Sequence, residues 1–220
     1  MSDFDQVVRE RRSVRGFTSE LVPQAVLDDV FALAQRAPSN CNVQPWRVFV
    51  ASGERCRNLS AAMTARADVG DFGAPEDLMD TFAGEHRRLQ IACAGEMYGH
   101  MGVKRDDMVA RLAAGRRNFE LFGAPHVAIV CMLKAYGLGV ALDVGMYVQT
   151  LMLALSSRGI GSCAQASLRQ YPALIREQLC IDDDLRIMCG VSFGYEDVNV
   201  AANRTRQPRE ALTNNVTFVA

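Results

Sequence analysis

An arginine-rich segment near the amino terminus has the residue types of a phosphate-binding site. Three arginines and a serine lie within five residues of one another: Arg11, Arg12, Ser13 and Arg15. Alternate side chains of an extended backbone share a face, so Arg11, Ser13 and Arg15 would point the same way. Two guanidinium groups and a hydroxyl suit a phosphate monoester, because guanidinium donates paired hydrogen bonds to phosphate oxygens. A solvated basic turn is the alternative interpretation.

A second arginine-rich segment lies near the carboxyl terminus, at residues 203–209. Arg204 and Arg206 again alternate, and Arg209 follows them. Chain ends often lie close together in folded domains. If these two ends meet, the two segments would form a four-arginine cradle for a phosphate. An arginine-rich tail without a ligand is the alternative.

Two further segments have groups that could contact the rest of such a ligand. Residues 37–46 (APSNCNVQPW) offer amides and hydroxyls, which suit the polar edge of a planar heterocycle. An ordinary helix-to-strand loop is the alternative there. Residues 159–167 (GIGSCAQAS) are mostly small and would let the backbone approach a ligand closely. A glycine helix cap explains Gly159 and Gly161 without any ligand.

The elements that position these segments are mainly helices, separated by short β-like runs. Apolar periodicity predicts helices at residues 3–12, 23–34, 54–66, 84–100, 104–118, 142–157 and 171–179. β-like runs lie at residues 46–51, 126–133, 187–195 and 216–220. The helix at 142–157 is apolar on nearly all sides, which predicts a buried central helix. No glycine-rich dinucleotide fingerprint follows a strand, so we predict an α+β fold with a small, mostly antiparallel sheet.

The last β-like run, residues 216–220, has no hairpin partner nearby. A terminal strand of this kind is often added to another sheet edge, and we expect that edge to belong to a partner subunit. Residues 67–77 contain glycine and aspartate and are predicted to be irregular. The whole chain, residues 1–220, is expected to form one domain.

Composition excludes several classes of function. The net charge is -1, which gives no reason to expect nucleic acid or an anionic membrane as a partner. Seven cysteines without CxxC spacing, a polar amino terminus and the lack of a membrane-length apolar run indicate a reduced, cytoplasmic protein. His86, His100 and His126 lie in unrelated contexts, so we expect neither a metal site nor a catalytic triad.

Taken together, the motifs resemble those of the nitroreductase family in order and spacing. They are RRSVRGF, APSNCNVQPW, DVGMYVQTLMLALSSRGIGSC, and FGY followed by NRTRQPRE, and they span about residues 5–210. The resemblance implies an obligate homodimer with two FMN sites at the subunit interface and a sheet completed by the partner's carboxyl-terminal segment. It also implies hydride transfer from NADH or NADPH, through flavin N5, to small nitroaromatic compounds by a ping-pong mechanism.

The resemblance assigns cofactor contacts residue by residue. It places Arg11, Arg12, Ser13, Arg15, Arg204 and Arg206 in the two segments that hold FMN, and Pro38, Ser39, Asn40 and Asn42 in the loop that reaches FMN from the other subunit. The backbone at Ala166 and Ser167 would face flavin N5, although several relatives have an acidic residue and glycine there.

Arg15 is expected to stabilise the negative charge of reduced flavin. Phe119 and Phe122 are candidates for stacking on an aromatic substrate, with a core role as the alternative for each. Quinone, enone or haloaromatic reduction on the same fold, and non-enzymatic binding of a phosphorylated metabolite, stay open as alternative functions.

Overall fold

The computed structural model describes residues 3–71, 73–77 and 81–219, and a single sheet lies at its centre. The described strands are β1 (Arg47–Ser52), β2 (His126–Leu133), β3 (Gly161–Gln165) and β4 (Leu185–Gly194). Their order is β1-β2-β4-β3, and each neighbouring pair is antiparallel. Helices surround this sheet, so the predicted α+β class with a small antiparallel sheet is confirmed.

The described helices follow the predicted periodicity closely. They are α1 (Phe4–Glu10), α2 (Gln24–Ala34), α3 (Gly53–Asp68), α4 (Gly84–His100), α5 (Met108–Arg116), α6 (Leu138–Ser156), α7 (Pro172–Leu179) and α8 (Leu212–Asn215). Seven of them correspond to predicted helices with ends shifted by a few residues, and the short α8 was not predicted. Residues 69–71 and 73–77 form neither helix nor strand, as expected for most of the 67–77 region.

Strand β2 is apolar without interruption because both of its faces are covered. Ala128, Val130 and Met132 pack into one core together with α2 and α6. The alternate residues, among them Val127 and Ile129, pack into a second core with α3 and α7. Side chains of a strand alternate between faces, so a strand covered on both faces is hydrophobic at every position.

Helix α6 differs from the prediction of all-round burial. Val144, Tyr147 and Leu151 are buried against the sheet, but Leu138 and Leu142 on the opposite side are 83% and 67% exposed. The prediction was therefore wrong for this single chain, because the sheet and α2 cover only one side of the helix. Within the described residues α6 is also long and apolar enough to cross a membrane, a criterion that core helices meet as well.

Two strand predictions also differ from the structure. Strand β3 was not predicted, since its sequence GSCAQ lacks the β-branched and aromatic residues that mark strands. Residues 216–219 form no strand within this chain, and Phe218 and Val219 are exposed. Ala220 lies outside the described residues. Exchange of this segment between subunits stays a prediction.

Candidate functional site

The amino-terminal arginine segment is extended and lies along the edge of β3. Ser13 forms a parallel bridge with Ser162, and the Val14 N–H donates to the Ser162 carbonyl at 3.0 Å. A little further on, the Thr18 N–H donates to the Tyr195 carbonyl at 2.9 Å. The extended backbone that the alternating side chains required is therefore present.

Two glycines allow this segment to lie so close to its neighbours. A Cβ at Gly161 would be 2.8 Å from Val14 Cγ2, and a Cβ at Gly16 would be 2.5 Å from the Val200 side chain. Both positions therefore require the absence of a side chain. Gly161 thus serves packing between chain segments, whereas Gly159, with φ +71°, ends the turn after α6 as a helix cap does.

Asn203 joins the two ends of the chain. Its side-chain oxygen accepts the Arg15 N–H at 2.6 Å, and its amide donates to the Gly16 carbonyl at 2.8 Å and to the Asp197 carbonyl at 2.9 Å. The side chain is buried with both donors and the acceptor used, so it fixes one segment against the other. This role was not predicted, because only the fold brings Arg15 within reach of Asn203.

The two arginine-rich segments line one large cleft of about 1430 Å³. Its basic and hydroxyl lining includes Arg11, Arg12, Ser13, Arg15, Arg88, Arg206 and Arg209. The expected convergence of the chain ends is therefore confirmed. Arg204 is exposed and lies outside this lining. Arg209 lines the cleft, where the sequence had predicted Arg204. A phosphate contact by Arg204 stays a prediction that this geometry does not favour.

The described lining of the cleft has an excess of positive charge, with seven arginines and three glutamates. Burial and the neighbouring Arg209 guanidinium lower the pKa of Arg11. Arg12 forms an ion pair with Glu196, and its buried Nη1 has no hydrogen-bond partner in the described part of the chain. Among residues 3–71, 73–77 and 81–219, no ion pair neutralises Arg11, Arg206 or Arg209. Like charges held this close favour a bound anion.

Helix α4 supports the carboxyl-terminal side of the cleft through Glu96. One carboxylate oxygen accepts the Arg206 N–H at 2.7 Å, and the other accepts the Gln207 side-chain amide at 2.5 Å. Neither contact was predicted, since a glutamate on a helix ordinarily faces solvent.

The polar loop at residues 38–44 lies away from the cleft in this chain. The Asn40 N–H donates to buried Asp143 of α6 at 3.1 Å, and the Gln44 N–H donates to Ser39 Oγ at 3.0 Å. Asn42 has φ +56° and Pro38 is exposed. None of Pro38, Ser39, Asn40 or Asn42 lines either of the two cavities described here. Their predicted contact with a cofactor would therefore have to be made in another subunit.

Ala166 and Ser167 begin a tight turn directly after β3, and a hydrogen-bond network holds it. Buried Gln165 donates to the Asn118 carbonyl at 2.8 Å and accepts from Ser192 Oγ at 2.5 Å. Ser167 Oγ donates to the Asn118 side-chain oxygen at 3.2 Å. Gln165 and Asn118 were not predicted as site residues. They fix the backbone at Ala166 and Ser167.

A smaller cavity of about 310 Å³ adjoins the large cleft. Arg15 and Cys93 line both, and the smaller one is also lined by Met97, Met101, Arg117, Asn118 and Phe122. Phe122 has φ +57°, an unusual backbone conformation for a bulky residue. Phe119 instead packs edge-to-face on Tyr171 at 5.0 Å between centroids. Of the two predicted aromatic candidates, Phe122 is the one in a cavity wall.

The histidines show no catalytic arrangement. His126 is buried, where Nε2 accepts the Val22 N–H at 2.9 Å and Nδ1 lies 2.7 Å from Ser52 Oγ. Burial lowers the pKa of His126. Within the described ranges no group of histidine, cysteine and acidic residues could hold a metal ion. His126 therefore has a structural role.

Comparisons with known proteins agree with this geometry. A family model described as the nitroreductase family matches residues 8–195. A 4-nitrobenzoate reductase of Pseudomonas putida is 36% identical, over 94% of this chain and 92% of its own length. The nitroreductase NfnB of Mycolicibacterium smegmatis is also 36% identical, over 97% and 92%.

Solved structures give the same result for the fold. The FMN-dependent nitroreductase NfnB from Mycobacterium smegmatis, in complex with NADPH, superposes with a TM-score of 0.94 at 32% identity over 98% of this chain and 97% of that one. An FMN- and NADPH-dependent NfnB from Sphigopyxis sp. strain HMH superposes with a TM-score of 0.95 at 32% identity over 100% of both chains.

Proposed function

The chain belongs to the nitroreductase family, and on that premise we propose that it is an FMN-dependent enzyme that reduces nitroaromatic compounds with NADH or NADPH. The observation that carries the proposal is the convergence of Arg11, Arg206 and Arg209 on one cleft from opposite ends of the chain. The names of the relatives supply the substrate class and both cofactors.

The residues of the cleft fit the phosphate of FMN. Arg11 and Ser13 of the amino-terminal segment and Arg206 of the carboxyl-terminal segment line the same cleft. Crowded guanidinium groups, one of them with a lowered pKa, are stabilised by an anion that accepts paired hydrogen bonds. The free Nη1 of Arg12 offers a further donor in the same wall. We assign the phosphate to these four residues.

The flavin ring would lie where the two cavities meet. Bound FMN supplies the hydride acceptor and donor of the reaction. Arg15 lines both cavities, so its positive charge would stabilise electron density that reaches the ring edge. The backbone at Ala166 or Ser167 would donate to flavin N5, with Gln165 and Asn118 holding the turn; neither Ala166 nor Ser167 is among the residues that line the two cavities, but Asn118 lines the smaller one. A single open pocket would admit the nicotinamide and the nitro compound in turn, which gives ping-pong kinetics.

A homodimer would complete this site. Leu138, Leu142 and Met146 form an exposed apolar stripe along α6, which is typical of an interface. The rigid polar loop carrying Asn40 and Asn42 extends from the same region, since Asp143 of α6 holds Asn40. Two copies packed through α6 would let that loop reach the partner's cleft.

Absorption spectroscopy and turnover test the proposal together. The purified protein, loaded with FMN, is expected to be yellow, to lose that colour under NADPH or NADH without oxygen, and to regain it when 4-nitrobenzoate or nitrobenzene is added. Menadione and an enone, measured in parallel, separate nitro reduction from the alternative activities. A colourless protein that takes up no FMN would contradict the proposal. Reoxidation by the quinone but not by the nitro compounds would show that the protein is a flavoenzyme of the same fold with quinone reductase activity.

A further inference from the structure

The smaller cavity combines an apolar body with positive charge. Met97, Met101 and Phe122 provide apolar surface, while Arg15 and Arg117 provide two cations. No acidic side chain is among the described residues that line it. Its volume of about 310 Å³ is at the lower end of small-molecule pockets, which suits one substituted benzene ring.

Arg117, which lines this cavity, has hydrogen-bond donors that no described contact uses. It caps the carboxyl end of α5, and its Nη2 donates to the Arg15 carbonyl at 2.9 Å. A guanidinium group carries five N–H donors. Among the described residues Arg117 forms no ion pair, whereas the adjacent Arg116 is paired with Asp68 at 2.5 Å and also with Glu120. Arg116 is therefore neutralised and lies outside the cavity lining, whereas Arg117 lines the cavity without an ion-pair partner among the described residues.

Arg117 also lies beside the groups assigned to the flavin. Its hydrogen bond fixes the backbone of Arg15, which lines both cavities. Asn118, the next residue, accepts from Ser167 at the turn after β3. A ligand in the small cavity would thus contact the region where the nitro group must meet the flavin.

We propose that Arg117 makes this enzyme selective for nitroaromatics that carry a carboxylate, by binding that carboxylate in the small cavity. The inference rests on the proposed function, because it names the substrate class of that same site. The proposed function assigns Arg15 to the flavin, which leaves Arg117 as the cation of this cavity for a substrate. A buried guanidinium–carboxylate contact is directional and strong, and a neutral ring would forgo it.

The wild-type FMN-loaded enzyme gives the first test, by comparing 4-nitrobenzoate with the neutral isostere 4-nitrobenzamide. We expect kcat/KM to be at least about tenfold higher for the carboxylate, since a charged hydrogen bond is worth about one to two decades. Arg117→Gln should lower the ratio of kcat/KM for 4-nitrobenzoate to kcat/KM for nitrobenzene by about ten- to a hundredfold, whereas a loss that acts through Arg15 would affect both substrates equally. Arg117→Lys should recover part of the loss.

Arg116→Gln is the matched control, and it should leave the ratio of the two substrates unchanged. A second readout needs no turnover: calorimetric titration of the oxidised enzyme with benzoate should show weaker binding in Arg117→Gln by a similar factor, with benzamide unaffected. Equal losses for charged and neutral substrates would overturn the inference and leave Arg117 as a support for Arg15. Equal benzoate affinity in both proteins would overturn it too. A wild type that binds benzoate through Arg117 but reduces no nitro compound would refute the proposed function, and it would leave Arg117 as a carboxylate-binding residue only.

Discussion

Arg11, Arg206 and Arg209 show how a residue's surroundings define its chemistry. Each is an arginine in a basic stretch, and such stretches usually face solvent. Here burial and the nearby Arg209 lower the pKa of Arg11, so its positive charge is less well stabilised than in water and would be stabilised by a bound anion. Arg204 lies two residues before Arg206 and both side chains are exposed, yet only Arg206 is among the residues that line the cleft. Residue type and spacing alone do not separate these cases.

Arg206→Ala is expected to weaken FMN binding about tenfold, or roughly 1.4 kcal/mol, because one charge-assisted contact to the phosphate is lost. Arg204→Ala should change the affinity by less than about threefold. Titration of apoprotein with FMN, followed by flavin fluorescence quenching, measures both. A larger effect for Arg204 than for Arg206 would favour the assignment made from the family motif over the observed lining.

Helix α4 illustrates an element held by polar contacts. No residue of α4 is fully buried in the described chain, so hydrophobic packing within this chain contributes little to its position. Glu96 instead accepts from Arg206 and Gln207, and Arg88 pairs with Glu210 at 2.9 Å. The helix and the phosphate-binding segment therefore hold each other in place.

Glu96→Ala should loosen the cofactor although Glu96 donates nothing to it. Losing the acceptor for the Arg206 N–H is expected to weaken FMN binding about three- to tenfold, which corresponds to a net hydrogen bond of about 1 kcal/mol. Arg87→Ala on the same helix is the control, since Arg87 lines neither cavity and its side chain hydrogen-bonds only Gln90 among the described contacts. Unchanged FMN dissociation in Glu96→Ala, measured after dilution into excess apoflavodoxin-type acceptor, would remove Glu96 from this role.

At the scale of the whole molecule, the single chain leaves several apolar and functional parts exposed. The outer stripe of α6, the tail with Phe218 and Val219, and the polar loop at 38–44 all face solvent. Exposed apolar surface of this extent is typical of a protein–protein interface. The cleft is built within one chain, but in the proposed dimer the polar loop of one subunit would reach the cleft of the other. We therefore expect cofactor binding and dimer formation to depend on each other.

Leu142→Glu should convert the protein to a monomer or weaken the dimer strongly, because a carboxylate would be buried without a partner at the α6 interface. Leu142→Met keeps the apolar character and is the control. Sedimentation velocity at several protein concentrations distinguishes the two. A dimer as stable as the wild type in Leu142→Glu would show that α6 faces solvent in solution.

Much of the fold was predictable from local pattern. The run from His126 to Leu133 has the length and composition of a buried strand, and the helices show their apolar periodicity. Strand β3 was missed because Gly161 to Gln165 is small and polar. Its position is set by pairing with β4 and by the segment at Val14, which are contacts remote in sequence.

The candidate site was also predictable only in part from the sequence. Residue type and order were enough to predict that two arginine-rich ends with alternating spacing suit a phosphate, and that the motifs resemble one flavin-binding family. The folded arrangement was needed to show that Arg209 rather than Arg204 lines the cleft, that Asn203 and Glu96 hold the segments together, and that Arg117 lines the small cavity. These contacts depend on which side chains the folded backbone brings together. The free energy that stabilises this arrangement comes from contacts throughout the chain, so no local sequence pattern reveals it.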